Sequence, residues 1–240
     1  MTVNKFLRYL LVSLFCFAGS TAFAQTQIFL DEFNGTSLSL VSTRTPDTGT
    51  GYTLVLNGNG SGDFEIVSSV RARTNQGVEN STILLTFEPA PTSPNYDVGF
   101  SLNAWPTSAT DDPVGVVARY QDASNYYAVV IYNSVAGTSN CFLTKMVAGT
   151  PTDLDSGTVT LSTGVAYELR VSGSTISFYG DTTEILTATD SSITAAGKGG
   201  MFSGSMRGQA SDDTRNAWQF ERVYVDEYAV ASSRRIWILQ

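Results

Sequence analysis

Tyr167-Glu168-Leu169-Arg170-Val171-Ser172, a Gly173-Ser174 step, then Thr175-Ile176-Ser177-Phe178-Tyr179-Gly180: this stretch decides the fold. Tyr167, Leu169 and Val171 alternate with Glu168, Arg170 and Ser172, and beyond the glycine Ile176 and Phe178 alternate with Thr175, Ser177 and Tyr179. A period of two sends successive side chains to opposite faces of a strand, whereas a helix needs apolar residues three and four apart. The stretch is a β-hairpin with one buried face.

The same signature spreads outward. Gly115-Val116-Val117-Ala118-Arg119-Tyr120 and Tyr126-Tyr127-Ala128-Val129-Val130-Ile131-Tyr132 form a second pair around the turn Asp122-Ala123-Ser124-Asn125, whose Asx and small residues favour a tight reversal. Further strand-like runs fall at 28–33, 64–73, 81–87, 96–104, 141–147, 158–161, 184–189, 199–205 and 217–229. Short strands at this spacing, with almost no helical periodicity, imply an all-β fold of two stacked antiparallel sheets. No break in composition divides residues 25–240, which read as one sandwich domain. The loop at 57–63 is rich in Gly and Asn and poor in carboxylates, so it reads as a turn rather than a calcium loop.

Residues 1–24 read as an export signal. Lys5 and Arg8 supply the positive region, an apolar run from Leu10 to Ala18 is too short to span a bilayer, and Ala22-Phe23-Ala24 gives the small-x-small cleavage pattern. Lipidation at Cys16 would need a small residue before it, and Phe15 is not small. The expectation is a secreted protein beginning at Gln25, found in the periplasm, on the surface or outside the cell. Loss of Lys5 and Arg8 with the leader takes the formal net charge from -8 to -10. Such a surface repels nucleic acid and anionic lipid, so neutral ligands or a cation are the expected partners, with no membrane insertion after cleavage. Only Cys141 remains, so no internal disulfide forms, and the thiol reads as a buried structural one. The chain has no histidine, which excludes Ser-His-Asp and Cys-His hydrolase arrangements and the usual zinc sites.

Four stretches carry a resemblance: Asp31-Glu32-Phe33-Asn34-Gly35-Thr36; the segment from Gly115 to Tyr127; the hairpin from Tyr167 to Gly180, of the form Tyr-x-Leu-x-Val, turn, Ile-x-Phe-Tyr; and Tyr224-Val225-Asp226-Glu227-Tyr228. In this order they resemble the concanavalin A-like lectin/glucanase superfamily, especially its laminin-G-like bacterial jelly-roll domains. The resemblance implies a closing strand beside the opening one. It also implies a structural calcium (Ca2+) held by Asp226, with Asp31 as the second metal residue, as a brace rather than a catalyst. The hydrolase branch carries Glu-x-Asp-x-x-Glu on one strand, and no such run exists here.

Sugars are held by aromatic rings against their apolar faces and by planar polar groups on their hydroxyls. Trp105, Arg119, Tyr120, Tyr126, Tyr179 and Trp218 have those chemistries on strands or adjoining loops and are the expected ligand-binding residues. Glu168 and Arg170, two apart on one strand, suit a surface ion pair. The function expected is non-catalytic carbohydrate binding, with a glycan as partner. A structural or adhesive protein that self-associates through sheet edges and the tail Arg234-Arg235-Ile236-Trp237-Ile238-Leu239-Gln240 is the alternative. A polysaccharide-cleaving hydrolase or lyase comes third.

Overall fold

The computed structural model describes residues 24–34, 40–57, 64–67, 71–74, 82–105, 113–132, 138–204 and 218–228. The leader with Cys16, most of the glycine-rich loop and the apolar tail lie outside the described residues. Among the described residues no helix is long and apolar enough to cross a membrane.

Two antiparallel sheets face each other. One is ordered β10 (Thr150–Thr160), β9 (Thr138–Val147), β8 (Asn125–Tyr132), β7 (Pro113–Asp122), β14 (Lys198–Gly204), β5 (Thr82–Glu88) and β2 (Gly51–Asn57). The other is ordered β13 (Thr183–Thr189), β12 (Thr175–Gly180), β11 (Tyr167–Ser172), β6 (Tyr96–Ala104), β15 (Gln219–Tyr228), β4 (Arg71–Thr74) and β3 (Phe64–Val67), with β1 (Gln25–Asp31) also paired to β15. The expected sandwich and the expected pairing of opening and closing strands are both present.

The deciding hairpin forms in the expected register, Leu169 opposite Phe178 and Val171 opposite Ile176. Tyr167, Leu169 and Val171 are buried while Glu168 and Arg170 remain half-buried on the outer side. Their inward neighbours on β6 are Val98 and Phe100, and on β15 Val223 and Val225, all in one core with Val129, Ile131, Leu143 and Met201 of the facing sheet. Phe29 stacks on Phe87 with ring centroids 4.4 Å apart, closing the core between β1 and β5. Each such side chain taken out of water stabilises the fold by roughly 1.5–3 kcal/mol. Cys141 is fully buried in this core, and burial pushes its thiol up to about 11, so it stays a protonated, packed group.

Three features differ from expectation. The run at 64–73 is a two-stranded hairpin, β3 with β4, and β2 was not among the expected strands. β10 runs for 11 residues although it is polar, because it pairs along its whole length with β9.

Candidate functional site

An antiparallel sheet with one solvated face should alternate apolar and polar residues. The seven-stranded sheet departs from that rule in its middle. On β8, Tyr127, Val129 and Ile131 face the core, yet Ala128 and Val130 on the other side are apolar too, between Tyr126 and Tyr132. Leu84, Val117, Ala128 and Phe202 form a separate cluster on that outer face, with Val55, Tyr120, Tyr126 and Val130 packed against it.

Strand register arranges these residues in rows. Leu84, Phe202, Gly115, Val130 and Phe142 lie side by side across β5, β14, β7, β8 and β9. The next row runs Val117, Ala128, Thr144, Asp153, and the one beyond it Tyr126, Met146, Pro151. Small residues therefore occupy the centre and large ones the sides, leaving a groove of about 360 Å³ with Tyr126, Tyr132, Phe142, Met146 and Phe202 as walls. Tyr132 meets Phe142 edge-on at 5.9 Å, and Tyr120 lies against Tyr126 at 5.8 Å, separations at which rings hold each other in place. The Tyr126 and Tyr132 hydroxyls donate to no described residue. Asp153 brings the one carboxylate and accepts a 2.8 Å hydrogen bond from Thr144 Oγ1.

The outer face of the eight-stranded sheet is chemically different. Asp97 is buried there, accepting from Gln25 Nε2 at 2.7 Å and from the Tyr228 hydroxyl. Burial pushes its carboxyl up to about 6, against the lowering effect of the Tyr228 hydrogen bond. Glu168 pairs with Arg170 at 2.5 Å, as expected, and accepts from Tyr224 Oη at 2.5 Å. Arg170 also lies 3.9 Å from the Tyr179 ring centroid and 3.7 Å from Asp97. Two carboxylates thus share one guanidinium, and their oxygens are already occupied by donors. That arrangement ties strands together and offers neither a free base nor a free acid to a substrate. At the start of β15 a second hollow of about 470 Å³ is lined by Glu32, Asn34, Ser101, Glu221 and Arg222 and has no aromatic wall.

Of the expected ligand residues, Tyr126 lines the groove and Tyr120 packs against it. Tyr179 is on the opposite sheet, its hydroxyl donating to Glu184 at 2.7 Å. Trp105 is half-buried against the main core. Trp218 and Arg119 are corrections, since both are fully buried. Trp218 is core. Arg119 sits at φ 48° where the β7–β8 register breaks after Ala118, and this irregularity turns its side chain inward. Its guanidinium donates to the carbonyls of Pro94 (2.9 Å), Ile193 (2.7 Å) and Gly173 (2.8 Å). It clasps three loops and touches no open surface. Residues missed from the sequence are Tyr132, Phe142, Met146, Phe202 and Asp153. For Tyr132, Phe142 and Met146 the signal is the apolar character of both faces in β8 and β9, whereas Phe202 on β14 and Asp153 on β10 have no such signal.

The expected calcium pair is also corrected. Asp31 faces the interior beside Phe29, whereas Asp226 is on the outer side of β15, between the inward Val225 and the end of the strand. Asp31 pairs with Val223, three residues before Asp226, which separates the two along the strand by about 10 Å. The Asp31 carboxylate is taken up by Arg44 at 2.9 Å, Tyr52 Oη at 2.5 Å and the Phe33 amide at 2.7 Å. Among the described residues no group of three or more Asp, Glu, Cys or His could hold a metal ion. These two aspartates do not fit a shared Ca2+.

No protein-family model matches the chain, and no curated protein sequence matches it. Solved structures do. The CBM2 module of the evolved Dit of Lactobacillus casei BL23 phage J-1 superposes with TM-score 0.53 at 14% identity, over 86% of this chain and 97% of that one. The VIP36 exoplasmic/lumenal domain in its Ca2+/Man-bound form gives TM-score 0.54 at 9% identity, over 88% and 94%. This chain shares with these domains the fold of two facing antiparallel sheets. A third match, GH43B of the Bacteroides ovatus xyloglucan PUL, has TM-score 0.53 at 16% identity and covers 83% of this chain but 39% of that one. At these identities the likeness fixes the fold, and function has to be argued from the groove.

Proposed function

We propose that this protein is an exported, non-catalytic carbohydrate-binding module that takes a neutral glycan in the groove on the outer face of its seven-stranded sheet. One observation carries the reading: Tyr126, Tyr132, Phe142 and Phe202 wall a hollow floored by Val117, Ala128 and Val130. Aromatic walls suit the C–H faces of a sugar ring, and the two phenol hydroxyls and Asp153 suit its hydroxyls. Support comes from the likeness in fold to a CBM2 module and to a VIP36 domain bound to Man. The sequence motifs resemble the laminin-G-like branch of that fold, and the leader-like residues 1–24 agree with export. Calcium is given no part in binding, because Asp31 is already neutralised by Arg44 and Asp226 lies on the other face.

The test is a glycan-array screen of the purified protein with and without EDTA. Selective retention of neutral glycans that survives the chelator, and that weakens in Tyr126→Ala and Phe142→Ala, is the expected result. No retention of any glycan at millimolar concentration overturns the reading.

A further inference from the structure

We infer that the groove is specific for neutral sugars bearing a methyl-terminated substituent, such as an acetamido or O-acetyl group or the methyl of a deoxy sugar, which sits on its floor. This deepens the carbohydrate reading above and rests on it.

The polar groups are distributed unevenly. Val117, Ala128 and Val130 make the floor, and the walls stand so close that Val117 and Ala128 are 1% and 3% exposed. The floor surface open to a ligand is that of the half-buried Val130 beside them, where a small apolar group meets carbon. A hydroxyl placed against the floor side chains of Val117, Ala128 and Val130 would give up its water and meet only carbon there. A methyl group loses nothing by the same move and removes apolar surface from water. The polar atoms that can serve a sugar, the Tyr126 and Tyr132 hydroxyls and the Asp153 carboxylate, are on side chains that wall the groove, where ring hydroxyls of a seated sugar would lie. Among the described residues no lysine or arginine lines the groove and the one charge there is negative, as is the net charge of -8. Uronates and sulfated sugars are therefore excluded by repulsion as well as by the absence of a partner.

Matched ligands isolate the substituent. Tri-N-acetylchitotriose and cellotriose share one β-1,4 backbone and differ in the acetamido group; L-fucose and L-galactose differ in a methyl against a hydroxymethyl. Titration calorimetry on the full protein is expected to give at least tenfold tighter binding for the methyl-bearing member of one of these pairs. Ala128→Leu, which fills the floor, is expected to abolish that preference while leaving the circular dichroism spectrum unchanged. Should that variant fail to fold, Phe142→Ala opens the wall instead and is expected to cut the ratio several-fold. Equal or tighter binding of the unsubstituted members of both pairs overturns this inference and leaves the carbohydrate reading standing. Binding of neither pair, together with an empty glycan array, overturns both.

Discussion

The ring of Phe202 covers Gly115 across the β14–β7 pair, so that a Cβ built on Gly115 would lie 2.9 Å from Phe202 Cε1 and 1.8 Å from the Val129 carbonyl oxygen. The second distance involves backbone and cannot be relieved by a rotamer change. Gly115→Ala is therefore expected to push β7 and β8 apart, with a loss on the order of 1–3 kcal/mol and a lower Tm in a thermal melt. An unchanged Tm would show that the two strands are not held this closely.

The two sheets present different surfaces, which separates two tyrosines that look alike in the sequence. Tyr126 walls the groove, whereas Tyr179 lies under Arg170 on the opposite sheet. Tyr126→Ala is expected to weaken glycan binding about tenfold, near 1.4 kcal/mol, and Tyr179→Ala to leave it unaltered. Titration calorimetry of both variants decides this, and a reversed ranking would move the site to the other sheet.

The hairpin from Tyr167 to Gly180 was legible because one face is buried and the other wet, so periodicity and burial coincide. The groove was only half legible for the opposite reason. Val129 and Val130 are both apolar, and alternation cannot say which faces the core when both faces are covered. Tyr120 and Tyr126 were found as aromatic types beside a turn; Phe142 and Phe202 were not, because their neighbourhood comes from strands distant in sequence. Arg119 misled for a local reason. A guanidinium on a strand reads as surface unless the chain leaves the strand geometry, and the positive φ at that position is set by the tertiary bonds to Pro94, Ile193 and Gly173. Asp31 and Asp226 lie on paired strands about 10 Å apart, and their facing depends on the irregularity between Gln27 and Phe29, which the sequence does not announce.

The clasp made by Arg119 gives a prediction that separates structure from binding. Arg119→Met keeps much of the side-chain volume and strands three carbonyls that were satisfied by a charged donor. Hydrogen bonds to charged groups contribute about 1.5–3 kcal/mol each, and their loss is not fully additive. A destabilisation of at least about 3 kcal/mol in urea titration is expected, with glycan affinity of the folded protein unchanged. Loss of affinity without loss of stability would return Arg119 to the binding surface.

Asp97 contributes to the pH dependence of the fold. Its carboxyl is raised to about 6 in the folded chain by burial, above the usual value near 3.8. The native state therefore holds the Asp97 proton over a range where the unfolded chain has released it. That contribution to stability is complete below about pH 4 and is lost as pH rises through about 6. The opposite behaviour comes from Asp190. Its hydrogen bonds from Lys145 at 2.6 Å and Tyr127 at 2.6 Å hold the carboxyl well below the usual range despite desolvation. Asp190 therefore adds stability above its unfolded value and gives it up in acid. Between pH 4.5 and 7 the Asp97 effect dominates, because Asp190 is ionised throughout in both states. Urea titrations across that interval are expected to show stability falling by about 2 kcal/mol towards neutral pH, with the slope removed in Asp97→Asn. A slope that persists in the variant would assign it to the other carboxyls raised by burial, Asp226 on this face and Asp31 in the interior.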